Sequence, residues 1–129
     1  SNVNISKALN YDIRYFSMRD IGDPSLGNPI GLIGSGKIGT GIAKNMGTNG
    51  YSILAYDVDY SKCEALKLYA PTQIDITNNI NDIATNCQLI ITVLPNDTIL
   101  NDIMIGDNGL ISKMNNECIH MSMSTISPK

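Results

Sequence analysis

The stretch Ile30-Gly31-Leu32-Ile33-Gly34-Ser35-Gly36-Lys37-Ile38-Gly39 decides how this chain folds. A short apolar run passes into three glycines spaced G-x-G-x-x-G. Behind them Ile38, Ile42 and Met46 recur every four residues, which places them on one face of a helix. A second apolar run, Tyr51-Ser52-Ile53-Leu54-Ala55-Tyr56, closes on Asp57, 21 positions beyond Gly36. Strand, glycine turn, helix, strand and terminal acid, in that order, form a dinucleotide-binding fingerprint.

Each part has its own physical task. Gly34 lets the chain turn tightly out of the strand. Gly36 has no side chain, so a pyrophosphate can approach the backbone, and Gly39 lets the helix pack close to the sheet. The helix N-terminus presents free N–H groups and a partial positive charge to the diphosphate. Lys37 and Ile38, in the first helical turn, join the candidate cofactor contacts. A carboxylate at Asp57 accepts hydrogen bonds from the adenosine ribose and repels a 2′-phosphate. Val58 and Asp59 follow it, with no Arg to compensate. The expected cofactor is NAD, with NADP disfavoured.

Outward from this core, strands and helices alternate. Ile30–Ile33 and Ser52–Tyr56 read as the first two strands, and Asn49-Gly50 ends the helix between them. Gly41 and Gly47 inside that helix suggest close packing against a strand or a weak helix. Ser61–Leu68 reads as a helix capped by Ser61, Thr72–Ile74 as a brief strand, and Thr77–Ala84 as a helix with Ile80, Ile83 and Ala84 inward. Leu89-Ile90-Ile91-Thr92-Val93-Leu94 is the strongest strand pattern, stopped by Pro95. Asn96 or Asp97 caps a helix whose apolar face is Ile99, Leu100, Ile103 and Met104. Gly106-Asp107-Asn108-Gly109 breaks it, Leu110–Lys113 adds a turn, and Cys118–Ser122 reads as a fifth strand. The expectation is an α/β, Rossmann-type, doubly wound parallel sheet of about five strands in order 3-2-1-4-5, with the dinucleotide over strands 1 and 4.

The chain has 129 residues, enough for one domain with a real core, and 43% of them are hydrophobic. Its formal charge is −3 with no basic block, which argues against nucleic acid as a partner. No apolar run approaches the roughly 20 residues that cross a bilayer. The first residues lack the pattern of a secretory signal, so a cytoplasmic location is expected, or a mitochondrial one had a leader been removed. Cys63, Cys87 and Cys118 are widely spaced and read as reduced, partly buried thiols. His120 reads as a partly buried strand residue, and no metal site is expected. Residues 1–28 read as an N-terminal extension or leader, with a weak strand pattern over Tyr11-Asp12-Ile13-Arg14-Tyr15-Phe16 and a loop rich in breakers after it. Residues 29–129 are the dinucleotide domain.

Three segments resemble the β-hydroxyacid dehydrogenases, a family that includes 3-hydroxyisobutyrate dehydrogenase and the 6-phosphogluconate dehydrogenase NAD-binding domain. The glycine stretch from Ile30 to Gly39 is similar to the family's opening I-G-F-I-G-L-G-x-M-G. Thr92-Val93-Leu94-Pro95-Asn96-Asp97 is similar to its T-M-L-P-N-D, and Met123-Ser124-Thr125-Ile126-Ser127-Pro128 to the end of its D-M-S-T-I-S-P. Ser35 and Ser122 depart from the usual Leu and Asp. The resemblance implies that Leu94, Pro95 and Asn96 lie along the cofactor, that Thr125 borders the nicotinamide, and that Ser124 binds the substrate carboxylate.

The resemblance also implies an activity: hydride transfer between NAD(P) and a small hydroxyacid or aldehyde. In the family the catalytic lysine lies beyond S-T-I-S-P, and so does an all-helical C-terminal domain that often builds a dimer. Neither falls within this sequence, so no catalytic residue is assigned, and Lys113 and Lys129 are given no such role. The chain by itself is expected to bind dinucleotide weakly and to be inactive, with a homo-oligomer open to the intact enzyme. Two alternatives stand: a related glyoxylate, succinic semialdehyde or imine reductase, and a non-catalytic nucleotide-binding or interaction module.

Overall fold

The structure, a computed structural model, describes residues 29–105, 109–114 and 118–123. The elements run β1 (Ile30–Ile33), α1 (Lys37–Thr48), β2 (Ile53–Tyr56), α2 (Tyr60–Leu66), β3 (Ile74–Ile76), α3 (Ile80–Asn86), β4 (Leu89–Thr92), α4 (Asp97–Ile105), a 3₁₀ turn (Leu110–Lys113) and β5 (Ile119–Ser122). The strands form one parallel sheet in the order β3-β2-β1-β4-β5, as the alternation predicts. The expected strand over Tyr11–Phe16 and the loop after it lie outside the described residues.

Both faces of the sheet are covered, which is why β1 and β4 are buried at every position and carry no polar alternation. Ile30, Leu32, Ile53, Ile74 and Ile91 pack with Ile42 and Met46 of α1 and Cys63 and Leu66 of α2. Ile33, Ile90 and Leu94 pack on the opposite face with Ile83 and Ala84 of α3, Met104 of α4 and Leu110 of the 3₁₀ turn. Each such branched side chain, fully buried, contributes roughly 1.5–3 kcal/mol. Of Gly41 and Gly47 in the body of α1, Gly47 lies against the Ala70 and Ile74 side chains, where an added Cβ would sit 3.0 and 3.3 Å away. Gly41 faces open space, so close packing explains one of them only.

Several boundaries differ from the sequence reading for local reasons. Asp59, not Ser61, caps α2: its carboxylate accepts from the Ser61 N–H at 3.2 Å and from the Ser61 hydroxyl at 2.6 Å. A carboxylate outcompetes a hydroxyl as acceptor, so the cap stands two residues earlier and the helix starts at Tyr60; it ends at Leu66 rather than Leu68. β3 begins at Ile74 rather than Thr72, because the Gln73 and Ile74 N–H groups close a turn onto the Ala70 carbonyl. Asn79 caps α3, while the Thr77 hydroxyl accepts from the Asn79 N–H ahead of the helix. The helix therefore runs Ile80–Asn86 rather than Thr77–Ala84. β4 ends at Thr92 instead of Leu94, although the Val93 N–H still donates to the Ile33 carbonyl at 2.8 Å.

Cys63, Cys87 and Cys118 are free thiols. Burial pushes the Cys87 thiol up to about 12 and Cys63 to about 11, so both stay protonated at neutral pH. His120, on β5, shares a 2.8 Å hydrogen bond between its Nε2 and the fully buried Thr92 hydroxyl. Burial lowers the His120 pKa from the ordinary value. The native imidazole therefore binds a proton less readily than the unfolded one, which titrates near about 6.5. Its contribution to stability is complete above that pH and declines as pH falls through the window below it. The urea midpoint is expected to fall more between pH 7.5 and 5.5 in the native sequence than in His120→Gln. An equal slope in both would assign the acid sensitivity to the carboxylates instead.

Candidate dinucleotide site

The register of three strands builds the site. Ile33 of β1 pairs with Tyr56 of β2 on one side and with Thr92 of β4 on the other. The next residues, Gly34, Asp57 and Val93, therefore lie abreast at the carboxyl edge of the sheet. The Gly34 N–H donates to the Tyr56 carbonyl at 2.9 Å, which carries the pairing one step past the strand.

Gly34 has φ +98°, and a Cβ on it would lie 2.1 Å from the Val93 carbonyl oxygen. Its role is thus twofold: it takes a left-handed turn, and it lets β4 pass close. Gly39 serves the same corner from the helix side, where a Cβ would lie 2.5 Å from the Gly34 carbonyl oxygen. The helix packs on the turn itself as well as on the sheet. Gly36 is the opposite case. A Cβ there meets no atom within 4 Å, so what the missing side chain leaves free is the cleft.

That cleft has a volume of about 550 Å³, within the range of small-molecule sites. Gly34, Ser35, Gly36, Lys37 and Ile38 form its floor, Tyr56, Asp57 and Val58 one wall, and Val93, Leu94 and Pro95 the other. Gly36 is the N-cap of α1 and makes no side-chain cap bond, and the first turn carries no acidic residue. The first-turn N–H groups have no intrahelical acceptors, and Gly36, Lys37 and Ile38 bring them to the cleft. An open backbone, an unscreened helix N-terminus and an acid across from it fit a dinucleotide diphosphate and ribose.

Asp57 is held by three protein donors. Its Oδ2 accepts from the Ser35 N–H at 3.0 Å and from the Ser35 hydroxyl at 2.8 Å. Its Oδ1 accepts from the Asp59 N–H at 2.9 Å. Ser35 is itself pinned, because its carbonyl accepts from the Thr40 hydroxyl at 2.8 Å.

The structure brings most of the candidate residues together and sets others apart. Gly34, Gly36, Lys37, Ile38, Asp57, Leu94 and Pro95 line the cleft, and Gly39 supports it from behind. Asn96 stands beyond Pro95, where its carboxamide oxygen accepts from the Ile99 N–H at 3.0 Å and caps α4. Ile38 does not join the core as its spacing with Ile42 and Met46 suggests: it is 38% exposed, against 4% and 1% for those two, because the cleft opens at that end of α1. Ile99 differs in the same way and lines the cleft from α4. Ser124 and Thr125 lie outside the described residues; the Met123 N–H, just before them, donates to the Thr92 carbonyl at 2.8 Å. Sequence reasoning missed Lys62, which lines the cleft from the first turn of α2. A basic residue one turn into the helix after the acid-bearing strand was its available signal.

A five-strand parallel sheet with this glycine turn, helix N-terminus and strand-end acid defines a dinucleotide-binding domain of the Rossmann type. Residues 29–129 match the NAD-binding domain of 6-phosphogluconate dehydrogenase, and the chain belongs to that family. Rat mitochondrial 3-hydroxyisobutyrate dehydrogenase is 31% identical over 100 residues, covering 78% of this chain and 29% of the relative. Escherichia coli 3-sulfolactaldehyde reductase is 28% identical over 99 residues, covering 77% of this chain and 32% of that protein. A Mycobacterium tuberculosis 3-hydroxyisobutyrate dehydrogenase structure superposes with a TM-score of 0.66 at 15% identity, over 78% of this chain and 32% of that one. A Myxococcus stipitatus imine reductase in complex with NADP+ gives the same TM-score and identity over 78% and 33%. These two structures show the shared fold. The chain spans about 29% of the length of the 3-hydroxyisobutyrate dehydrogenase it matches. It is an NAD(P)-binding domain, and no helix among the described residues is long and apolar enough to cross a membrane.

Proposed function

We propose that residues 29–129 hold NAD, in preference to NADP, for an oxidoreductase acting on a small β-hydroxyacid or the matching aldehyde, with residues 1–28 standing outside that domain. The observation that carries the cofactor preference is the Asp57 carboxylate, which closes the ribose end of the cleft with no arginine at Val58 or Asp59. The substrate class rests on the family and on its named relatives. When bound, the nicotinamide supplies hydride exchange.

The residues of this chain bind and orient. The first turn of α1 faces the diphosphate, Asp57 accepts from the ribose, and Leu94 and Pro95 keep the opposite wall apolar. Ser124 is assigned to the substrate carboxylate and Thr125 to the nicotinamide edge. Lys113 donates to the Asn81 side chain at 2.7 Å and is given no proton-transfer role. Calorimetric titration of the 129-residue chain with each dinucleotide tests the preference. NAD is expected to bind at least about tenfold more tightly than NADP, since unit charges about 4 Å apart near a protein surface repel by about 4 kcal/mol. Tighter NADP binding would overturn the assignment.

A further inference from the structure

We propose that Ser35 is a positioning residue that makes the Asp57 carboxylate selective for a dinucleotide without a 2′-phosphate; this rests on the cofactor reading above. A carboxylate can only accept, so the 2.8 Å contact fixes the direction of the bond: the Ser35 hydroxyl donates to Oδ2. The Ser35 N–H donates to the same oxygen at 3.0 Å. Oδ2 is thereby saturated. Oδ1 already accepts from the Asp59 N–H, and a carboxylate offers about four acceptor sites. One site remains, on Oδ1, for a ribose hydroxyl.

The anchor does not move easily. Ser35 is 8% exposed, and its carbonyl is latched to the Thr40 hydroxyl within α1. The latch, the turn and the carboxylate form one unit joining β1, α1 and the end of β2. A 2′-phosphate beside Asp57 is accommodated only when the carboxylate swings away. Swinging away breaks two charge-assisted bonds at once and strands two donors of a buried residue. A leucine at this position would keep the N–H bond and lose the hydroxyl bond. Ser35 therefore turns a strand-end acid that repels phosphate into one that cannot step aside for it. Lys62 lines the same cleft, so a cation is at hand for a phosphate once Asp57 no longer repels it.

A double-mutant cycle on the 129-residue chain reads this directly, with NAD and NADP dissociation constants measured for the native sequence, Ser35→Ala, Asp57→Asn and the double variant. Ser35→Ala is expected to weaken NAD about threefold and to lower the preference for NAD over NADP about tenfold. In the Asp57→Asn background the same substitution is expected to leave the preference unchanged. Equal weakening of both dinucleotides by Ser35→Ala would reduce Ser35 to a structural part of the turn and overturn the proposal. So would an undiminished change of preference without the Asp57 carboxylate. Should the native sequence bind neither dinucleotide, the cofactor reading itself fails and carries the proposal with it.

Discussion

Replacing Gly34 by alanine lowers the urea midpoint more than any other single-methyl addition in the glycine turn. Two independent penalties meet at this position. Its φ of +98° lies where L side chains are strained, at a cost of about 1–2 kcal/mol. The added Cβ would also fall 2.1 Å from the Val93 carbonyl oxygen and 3.0 Å from its carbon. That neighbour is backbone and cannot rotate out of the way. It follows a strand paired with β1 on one side and β5 on the other, and the Val93 N–H itself donates to the Ile33 carbonyl at 2.8 Å. Relief requires β1 and β4 to part at the edge where Gly34, Asp57 and Val93 stand abreast. The combined cost is roughly 3–5 kcal/mol, against total stabilities of about 5–15 kcal/mol for domains of this kind. Equilibrium urea unfolding followed by far-UV circular dichroism measures it. A midpoint within error of the native sequence would mean that β4 does not pass this close, and with it would go the account of how the cleft's two walls are set.

The same corner shows what the sequence could and could not convey. β1 and β4 were legible because strands buried on both faces must be apolar, as Ile30–Ile33 and most of Leu89–Thr92 are. The three glycines were legible because each relieves a different steric conflict, and two of those conflicts appear at 2.1 and 2.5 Å. The strand order followed from the fingerprint and the alternation of elements. Element ends were less legible, since they depend on which of two nearby acceptors wins, as Asp59 does over Ser61. The bond between Ser35 and Asp57 was not legible at all. Its partners are 22 positions apart, and only the register of β1 against β2 brings them together. Ser35 stood out in the sequence as a departure with no partner in view. Lys62 was hidden for the same reason, since a lysine in a first helical turn reads as solvated until the strand before it is placed.

Replacing Gly36 by aspartate is expected to stabilise the fold and abolish cofactor binding, two effects of opposite sign from one side chain. Gly36 has φ −60° and ψ −166°, an extended conformation open to any residue, and a Cβ there meets nothing within 4 Å. As the N-cap of α1 it makes no side-chain bond. An aspartate in its place would accept from the N–H of Ile38 or Gly39 and complement the helix dipole, a gain of about 0.5–1 kcal/mol. Those N–H groups are the ones assigned to the diphosphate. The new carboxylate would occupy the donors and set a negative charge against the phosphates. At about 4 Å and the effective dielectric of a protein surface, that repulsion is about 4 kcal/mol, so NAD binding should fall by at least about a hundredfold. Thermal unfolding and calorimetric titration of the same sample read both effects. Lost binding with a lowered melting temperature would point to a damaged turn. A raised melting temperature with binding intact would place the diphosphate away from the α1 N-terminus. The expected pair, a more stable protein that no longer takes NAD, follows only when the uncapped helix end is kept uncapped for the ligand.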